Sequence, residues 1–572
     1  MIVTQKGLGK HFVVLIIVIG AGYFLAPQEM EEGKYSSSFI LDGKKVQDIS
    51  FMVSSLKSSK TTTARFNISS TTFEITYLET YANDLGSKIW FSVRVFSLNA
   101  DISKEYRERL NLRVEGSNEF AITLAPKYTG TIDFSFRVLR YSQIILPLLM
   151  AIAYLWLTEL IPLSAASLIV PAVIIIFDID TSTSALSPFF SKIIVLFFSG
   201  FLLAKAMQRV KLDEYLSLLI LSKIPPNGNI LLLILMSLTA FFSMFMSNTA
   251  AAAVLIPLSQ SLLGKIDEDH ETFQKVTVLG IAYAATMGGI GSLIGTPPNL
   301  MAVEFVSSYE GVEIGFLDWF FFGLPVMMVM IPIIYLYLRW KYKPTISRNA
   351  LKETKRTALL TLKEHHKFSK DQWIVSIVFI GIVGFWLTEQ FHNIHAGIIA
   401  LIAAIVLFFA GQIQEEDVNS INWNVLLTFG GGISLGSIVL KSGLAEWFAS
   451  LFISLKGSPI WLILLSLGIF ALILTAFASN TASAAILIPI AMPIGNLFGL
   501  NPVTLAIYIA IVCSVDFAIV IGTPTTLLAY STGMFKVKEI FQIGIILDLI
   551  GLILTWTMAA LLFELSFQIL FP

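Results

Sequence analysis

The chain has 572 residues, of which 55% are hydrophobic and only 13% charged. Soluble domains carry about 25% charged residues, so composition excludes an ordinary soluble domain. The formal net charge of −1 points to no partner, because the charges sit in a few loops, and no nucleic-acid partner is expected. The one cysteine, Cys513, lies in apolar sequence and excludes a disulfide framework or a cysteine metal site within one chain.

In chain order, the first apolar segment is Phe12–Leu25, behind Lys6 and Lys10. No A-x-A cleavage site follows, so residues 1–27 read as a retained N-terminal transmembrane helix rather than a signal peptide. Residues 28–140 are densely charged and alternate apolar with polar residues, as in Trp90-Phe91-Ser92-Val93-Arg94-Val95. That period of two predicts antiparallel strands, expected to form a small extracytoplasmic β-rich, sandwich-like domain. From Tyr141 onward the chain is membrane sequence. Candidate helices cover roughly 143–158, 161–178, 192–222, 273–310, 317–340, 372–389, 393–411, 424–452, 502–533 and 539–568. Two further stretches, 229–263 and 459–497, each exceed 34 residues. Straight helices of that length would run beyond about 50 Å, against a hydrocarbon core about 30 Å thick. Each must break.

The sequence repeats itself. Ser-Asn-Thr-Ala-Ala-Ala-Ala-Val-Leu-Ile-Pro at 247–257 returns as Ser-Asn-Thr-Ala-Ser-Ala-Ala-Ile-Leu-Ile-Pro at 479–489, 232 residues later. Trp156-Leu157-Thr158-Glu159 returns at 386–389, Phe198-Ser199-Gly200 is echoed at 429–431, and Ile294-Gly295-Thr296-Pro297 returns at 521–524. Order and spacing are kept, so the membrane part is two homologous halves. The first covers 141–345 with a hairpin at 229–263. The second covers 371–572 with a hairpin at 459–497. Between them, 346–370 is basic, with Arg348, Lys352, Lys355, Arg356 and Lys363 among its charges. The positive-inside rule makes this linker and the N-terminus cytoplasmic. Six crossings satisfy that rule if 229–263 enters and returns on one side; a seventh would break it. Each half then has five crossing helices plus a re-entrant hairpin. An odd number of crossings inverts one half relative to the other.

A hairpin tip within the membrane leaves carbonyls on one arm and N–H groups on the other, which need partners or a wet cavity. Carbonyls with Ser and Asn oxygens suit a cation; N–H groups at a helix start suit an anion. Broken helices meeting near the midplane are the arrangement of inverted-repeat transporters. No charged side chain occurs in 224–264 or 276–303, and in the 79 residues from 457 to 535 the only one is Asp516. An anion at the tips would therefore depend on helix N-termini, hydroxyl and amide donors, and co-bound cations.

The paired Ser-Asn-Thr tips, Gly295-Thr296-Pro297-Pro298-Asn299, and Trp-Leu-Thr-Glu-x-Ile-Pro at 156–162 resemble the divalent anion/sodium symporter family, carriers of succinate, malate, citrate or sulfate. The likeness spans the first helix and about 141–572. It implies an all-α polytopic membrane protein, an inverted repeat of two five-helix halves each with a re-entrant hairpin, plus one N-terminal helix. It implies a homodimer and an elevator motion. By position, it implies one sodium ion between Ser243, Ser247, Asn248 and the Gly295 loop. A second would lie between Thr475, Ser479, Asn480 and the Gly522 loop. Substrate would meet Ser247, Asn248, Thr249, Ser479, Asn480 and Thr481, with Pro297 and Pro524 lining the pocket.

The chain departs from that pattern in three places. The second half reads Thr523-Pro524-Thr525-Thr526 where the family repeats Thr-Pro-Pro-Asn. Asp516 occupies a stretch that is usually small or apolar, and an intramembrane carboxylate suggests function by default: a cation ligand, a proton carrier, or a hydrogen-bonded structural acid. The insertion at 28–140 replaces a short loop. The leading expectation is a sodium-coupled symporter that imports a C4 dicarboxylate across the cell membrane. Proton coupling, exchange of one dicarboxylate, citrate or sulfate for another, and a receptor sensing through its outer domain are the alternatives. No enzyme is expected: no nucleophile–base or metal-ligand constellation is visible, and the six histidines lie in loops or near helix ends.

Overall fold

The computed structural model describes residues 5–26, the strand segments between 33 and 137, and 141–563 apart from 224, 264–270, 365–367, 453–457 and 499. His270, His365 and His366 lie outside the described residues. The first helix, Gln5–Leu25, packs on Ser142–Thr158, where His11 Nδ1 meets the Tyr154 hydroxyl at 2.8 Å.

The expectation for 28–140 is corrected here. A sandwich is defined by two sheets burying a shared side-chain core. Among the described residues the chain carries eight strands paired into two four-stranded antiparallel sheets. These are β1 Gly33–Leu41, β2 Lys44–Val53, β3 Ser59–Ile68, β4 Thr71–Thr80, β5 Lys88–Ser97, β6 Arg109–Val114, β7 Asn118–Thr123 and β8 Thr131–Arg137. The sheets are ordered β2-β1-β6-β7 and β3-β4-β5-β8. No sandwich core stands among the described side chains, and the packed body that those side chains define is helical throughout. Period-two alternation dictates strands and their pairing; it does not dictate that two sheets face each other.

From Ser142 to Phe563 the described chain is helices and their connections. Among the described residues six helices are long and apolar enough to cross a membrane, and shorter apolar helices accompany them. The two long stretches break where the triplets stand. Gly228–Ser243 is followed by Asn248–Leu263, and Ile460–Phe477 by Asn480–Phe498. Besides 273–310 and 502–533, which break around their Gly-Thr-Pro loops, two expected continuous helices are each divided in two. The stretch 192–222 is Lys192–Arg209 and Leu212–Lys223, with Lys211 at φ +52° between them. The stretch 424–452 is Trp423–Lys441 and Leu444–Leu451, with Gly443 at φ +81°. The left-handed residue ends each first piece. Gly443 is the usual residue for that role; Lys211 gives no such signal in the sequence.

Landmark residues lock each half locally. Trp156 and Trp386 are fully buried; the indole of Trp156 donates to Ser167 Oγ at 3.3 Å and that of Trp386 to the Ala396 carbonyl at 3.0 Å. Glycines of Trp423–Lys441 allow close approach on two sides. A Cβ on Gly431 would collide with Ser167, and one on Gly436 with Phe305 and Pro489. The basic linker holds the helix Arg348–Glu364, which lays Leu351, Thr354 and Ala358 inward against Leu212–Lys223 and Asn248–Leu263.

Candidate functional site

Each tip is built by the same local chemistry. Ser247 precedes the second arm of the first tip, and its Oγ accepts the Ala250 N–H at 3.2 Å. Ser479 does the same for Ala482, also at 3.2 Å. These are helix N-caps, which explains why a serine stands at the break. The first turns of both second arms, starting at Asn248 and Asn480, have no intrahelical acceptors for their leading N–H groups. All six triplet residues, Ser247, Asn248, Thr249, Ser479, Asn480 and Thr481, are half-buried.

One hydroxyl on each first arm joins the tip to the next helix. Ser243 Oγ lies 2.8 Å from Asn248 Oδ1 and 2.6 Å from the Ala285 carbonyl. Thr475 Oγ1 lies 2.9 Å from Asn480 Oδ1 and 2.7 Å from the Cys513 carbonyl. A hydroxyl has one hydrogen. In each half, three oxygens share it. Such an electron-rich cluster is the donor set that a small hard cation takes.

Helices Glu271–Gly288 and Pro502–Cys513 then end, and each is followed by an irregular Gly-Thr-Pro loop before Pro297–Glu310 and Pro524–Ser531. Proline stands at the first helical position in both, where its missing N–H costs nothing. Gly295 is buried and Gly522 half-buried; Pro297 is half-buried and Pro524 exposed. The first loop is pinned by Asn299, whose Nδ2 donates to the carbonyls of Gly289 at 2.9 Å and Ser292 at 2.7 Å. Ser292 Oγ in turn donates to the Met244 carbonyl in the first tip. A Cβ on Gly289 would collide with Asn248 Oδ1, so glycine is what lets the tip and loop meet.

The second loop lacks an asparagine and is held by hydroxyls. Thr523 Oγ1 donates to Thr526 Oγ1 at 2.9 Å, and Thr525 Oγ1 lies 2.7 Å from Thr286 Oγ1 of the first half. Thus Pro524–Ser531 packs on Asn248–Leu263, and Pro297–Glu310 on Asn480–Phe498.

The structure therefore brings together Ser243, Ser247 and Asn248 in one tip, and Thr475, Ser479 and Asn480 in the other. Thr286, Ser292 and Asp548 are contributors that the sequence reading did not single out, and Thr525 stood there only as a departure from the family pattern. For Asp548 a signal was available, a carboxylate inside the apolar run Val537–Met558. It accepts the N–H groups of Phe517 at 2.8 Å and Ala518 at 3.1 Å, the first residues past Asp516 in the broken stretch. Among the described residues no cluster of His, Cys, Asp and Glu could hold a metal ion. A cleft lined by Arg209, Val210, Ser369, Asp371, Gly411 and Gln412 shares no residue with either tip.

Residues 134–567 match the family model described as the sodium:sulfate symporter transmembrane region. The chain belongs to this family. It is a multi-pass membrane transporter of the divalent anion/sodium symporter group and not an enzyme. Among its relatives is an uncharacterized transporter of Haemophilus influenzae, 33% identical over 431 residues, covering 72% of this chain and 90% of the relative. Another is the sodium-dependent dicarboxylate transporter SdcS of Staphylococcus aureus, 32% identical over 444 residues, covering 72% and 84%. SdcS of Staphylococcus saprophyticus is 29% identical over 436 residues, again covering 72% and 84%. The matched region leaves out most of the strand-bearing insertion.

Proposed function

We propose that this family member is a sodium-coupled secondary active symporter that imports a divalent anion, a C4 dicarboxylate such as succinate, malate or fumarate. The observation that carries this reading is the twin oxygen cluster, Ser243–Asn248–Ala285 and Thr475–Asn480–Cys513, each three oxygens with one hydroxyl hydrogen. A sodium ion on each cluster, completed by loop carbonyls near Gly295 and Gly522, supplies the positive charge that the tips lack in side chains. The dianion then meets Ser247, Asn248 and Thr249 from one side and Ser479, Asn480 and Thr481 from the other. The helix starts at Asn248 and Asn480 present N–H groups to its carboxylates. Pro297 and Pro524 border the pocket. The names of the staphylococcal relatives agree with sodium and dicarboxylate.

Coupling follows from charge. Two sodium ions with one dianion cross electroneutrally, so the driving force is the sodium gradient, about 1.4 kcal/mol per ion per tenfold ratio. A third cation would add about 2.3 kcal/mol per 100 mV of membrane potential. In this reading the two halves are an inverted repeat and 229–263 and 459–497 are re-entrant hairpins. The tips move together in an elevator stroke against a homodimeric scaffold. The N-terminus and the linker face the cytoplasm of a cell membrane and 28–140 faces outward.

Uptake of radiolabelled succinate into proteoliposomes, under an inward sodium gradient against potassium or choline, tests the reading. Sulfate, citrate and phosphate serve as competitors. Sodium-dependent uptake competed by dicarboxylates is expected. Uptake driven by a pH gradient alone, or only against internal dicarboxylate, would replace it.

A further inference from the structure

Asp516 is 1% exposed, and among the described residues neither carboxylate oxygen has a hydrogen-bond partner. It lies three residues past Cys513, whose carbonyl accepts the Thr475 hydroxyl of the second cluster. Across the loop it presses on Gly522: a Cβ there would collide with both carboxylate oxygens. The side chain is therefore aimed at the point where the second tip's partner helix and the Gly-Thr-Pro loop meet. Aligning that loop on its first copy sets Asp516 at the place of Gly289, whose backbone makes the equivalent close approach to Gly295.

Among the described residues no basic side chain hydrogen-bonds to it, and in sequence Asp516 is the only charge between 457 and 535. The groups that face the same break are Asp548, which is already satisfied by two backbone N–H groups, and Tyr283, whose hydroxyl donates to the Phe517 carbonyl at 3.3 Å. Asp548 carries the same sign, so it raises the demand for a cation rather than meeting it. An amide can be turned over to donate; a carboxylate has no second face. A buried carboxylate with neither donor nor counter-charge is strongly unfavourable.

We infer that Asp516 is an anionic ligand of the second cation site, adding a full negative charge to the Thr475–Asn480–Cys513 oxygens beside Gly522. The inference rests on the sodium-symport reading and deepens it. The two sites then differ in kind. The first is built from neutral oxygens, and the second is charged and binds its cation more tightly in the absence of substrate. A cation there neutralises the protein before it neutralises the dianion, so the second site fills first.

Equilibrium binding of radioactive sodium to the purified full-length protein, without substrate and with potassium as the control ion, tests this. Wild type should bind sodium in two components. Asp516→Asn should weaken the tighter one at least tenfold and leave the other in place, and Ser243→Ala should do the reverse. If Asp516→Asn does not fold, Gly522→Ala, which drives the carboxylate aside, should weaken the same component. Wild type binding sodium while Asp516→Asn or Gly522→Ala matches it in both components would overturn the inference alone. Wild type binding no sodium above the potassium control would overturn the symport reading and the inference with it.

Discussion

Thr475 Oγ1 stands 2.9 Å from Asn480 Oδ1, five residues further along the chain and across a helix break. The pair exists because the first arm ends at Phe477 and the second begins at Asn480. An unbroken helix would place residues five apart on different faces. The same pair, Ser243 and Asn248, stands in the other half. Replacing Asn248 or Asn480 by Ala removes an oxygen from a cluster short of positive charge. A hydrogen bond or ligand contact to a charged group contributes about 1.5–3 kcal/mol, or about ten- to a hundredfold in affinity. Sodium-driven uptake should fall by that factor or more at fixed sodium, with unchanged elution and melting in detergent. Full uptake by both variants would remove the tips from the mechanism.

Asp548 acts through the backbone. It takes the N–H groups of Phe517 and Ala518, which the break in the stretch 514–523 leaves without helical acceptors. Asp548→Ala leaves two buried donors unanswered and should cost about 3 kcal/mol. Asp548→Asn keeps one acceptor oxygen and should cost less. Thermal unfolding followed by size-exclusion recovery should rank wild type above the Asn variant and that above the Ala variant. Equal recovery of all three would contradict the role.

Asp180 joins the loop after Leu163–Ile176 to the end of Trp423–Lys441: Lys441 Nζ lies 2.9 Å from its Oδ2, and Ser184 Oγ donates to it at 2.7 Å. Burial pushes the carboxyl up, but Ser184, Lys441 and the Thr181 N–H more than offset this and hold it below the ordinary range. A depressed carboxyl stabilises the fold above its unfolded value of about 3.9, and that contribution is lost as pH falls through the lower folded value. Both partners are partly exposed, so the pair is worth about 1 kcal/mol. Lys441→Met should lower the melting temperature slightly at pH 7 and lose that difference below pH 4. A difference constant across pH would rule out the ion pair as its source.

The sequence alone determined the elements that are local or repeated. Composition and runs of apolar residues determined a membrane protein, because hydrocarbon admits nothing else of that length. The repeated Ser-Asn-Thr determined where the two long stretches break, because both copies carry the same serine cap chemistry at the same offset. Alternation pointed to strands, but a sheet-on-sheet core is a non-local matter that period two does not encode. Only the tertiary structure decided which oxygens meet. Ser243 finds a carbonyl 42 residues away, Thr286 a hydroxyl 239 away, and Asp548 two amides about 30 away. Nothing in local spacing announces such contacts, since they form only when helices distant in the chain pack together. The same holds for Asp516: its sequence shows a charge in a greasy stretch, and the packing shows that among the described residues its oxygens have no hydrogen-bond partner and that it faces Gly522.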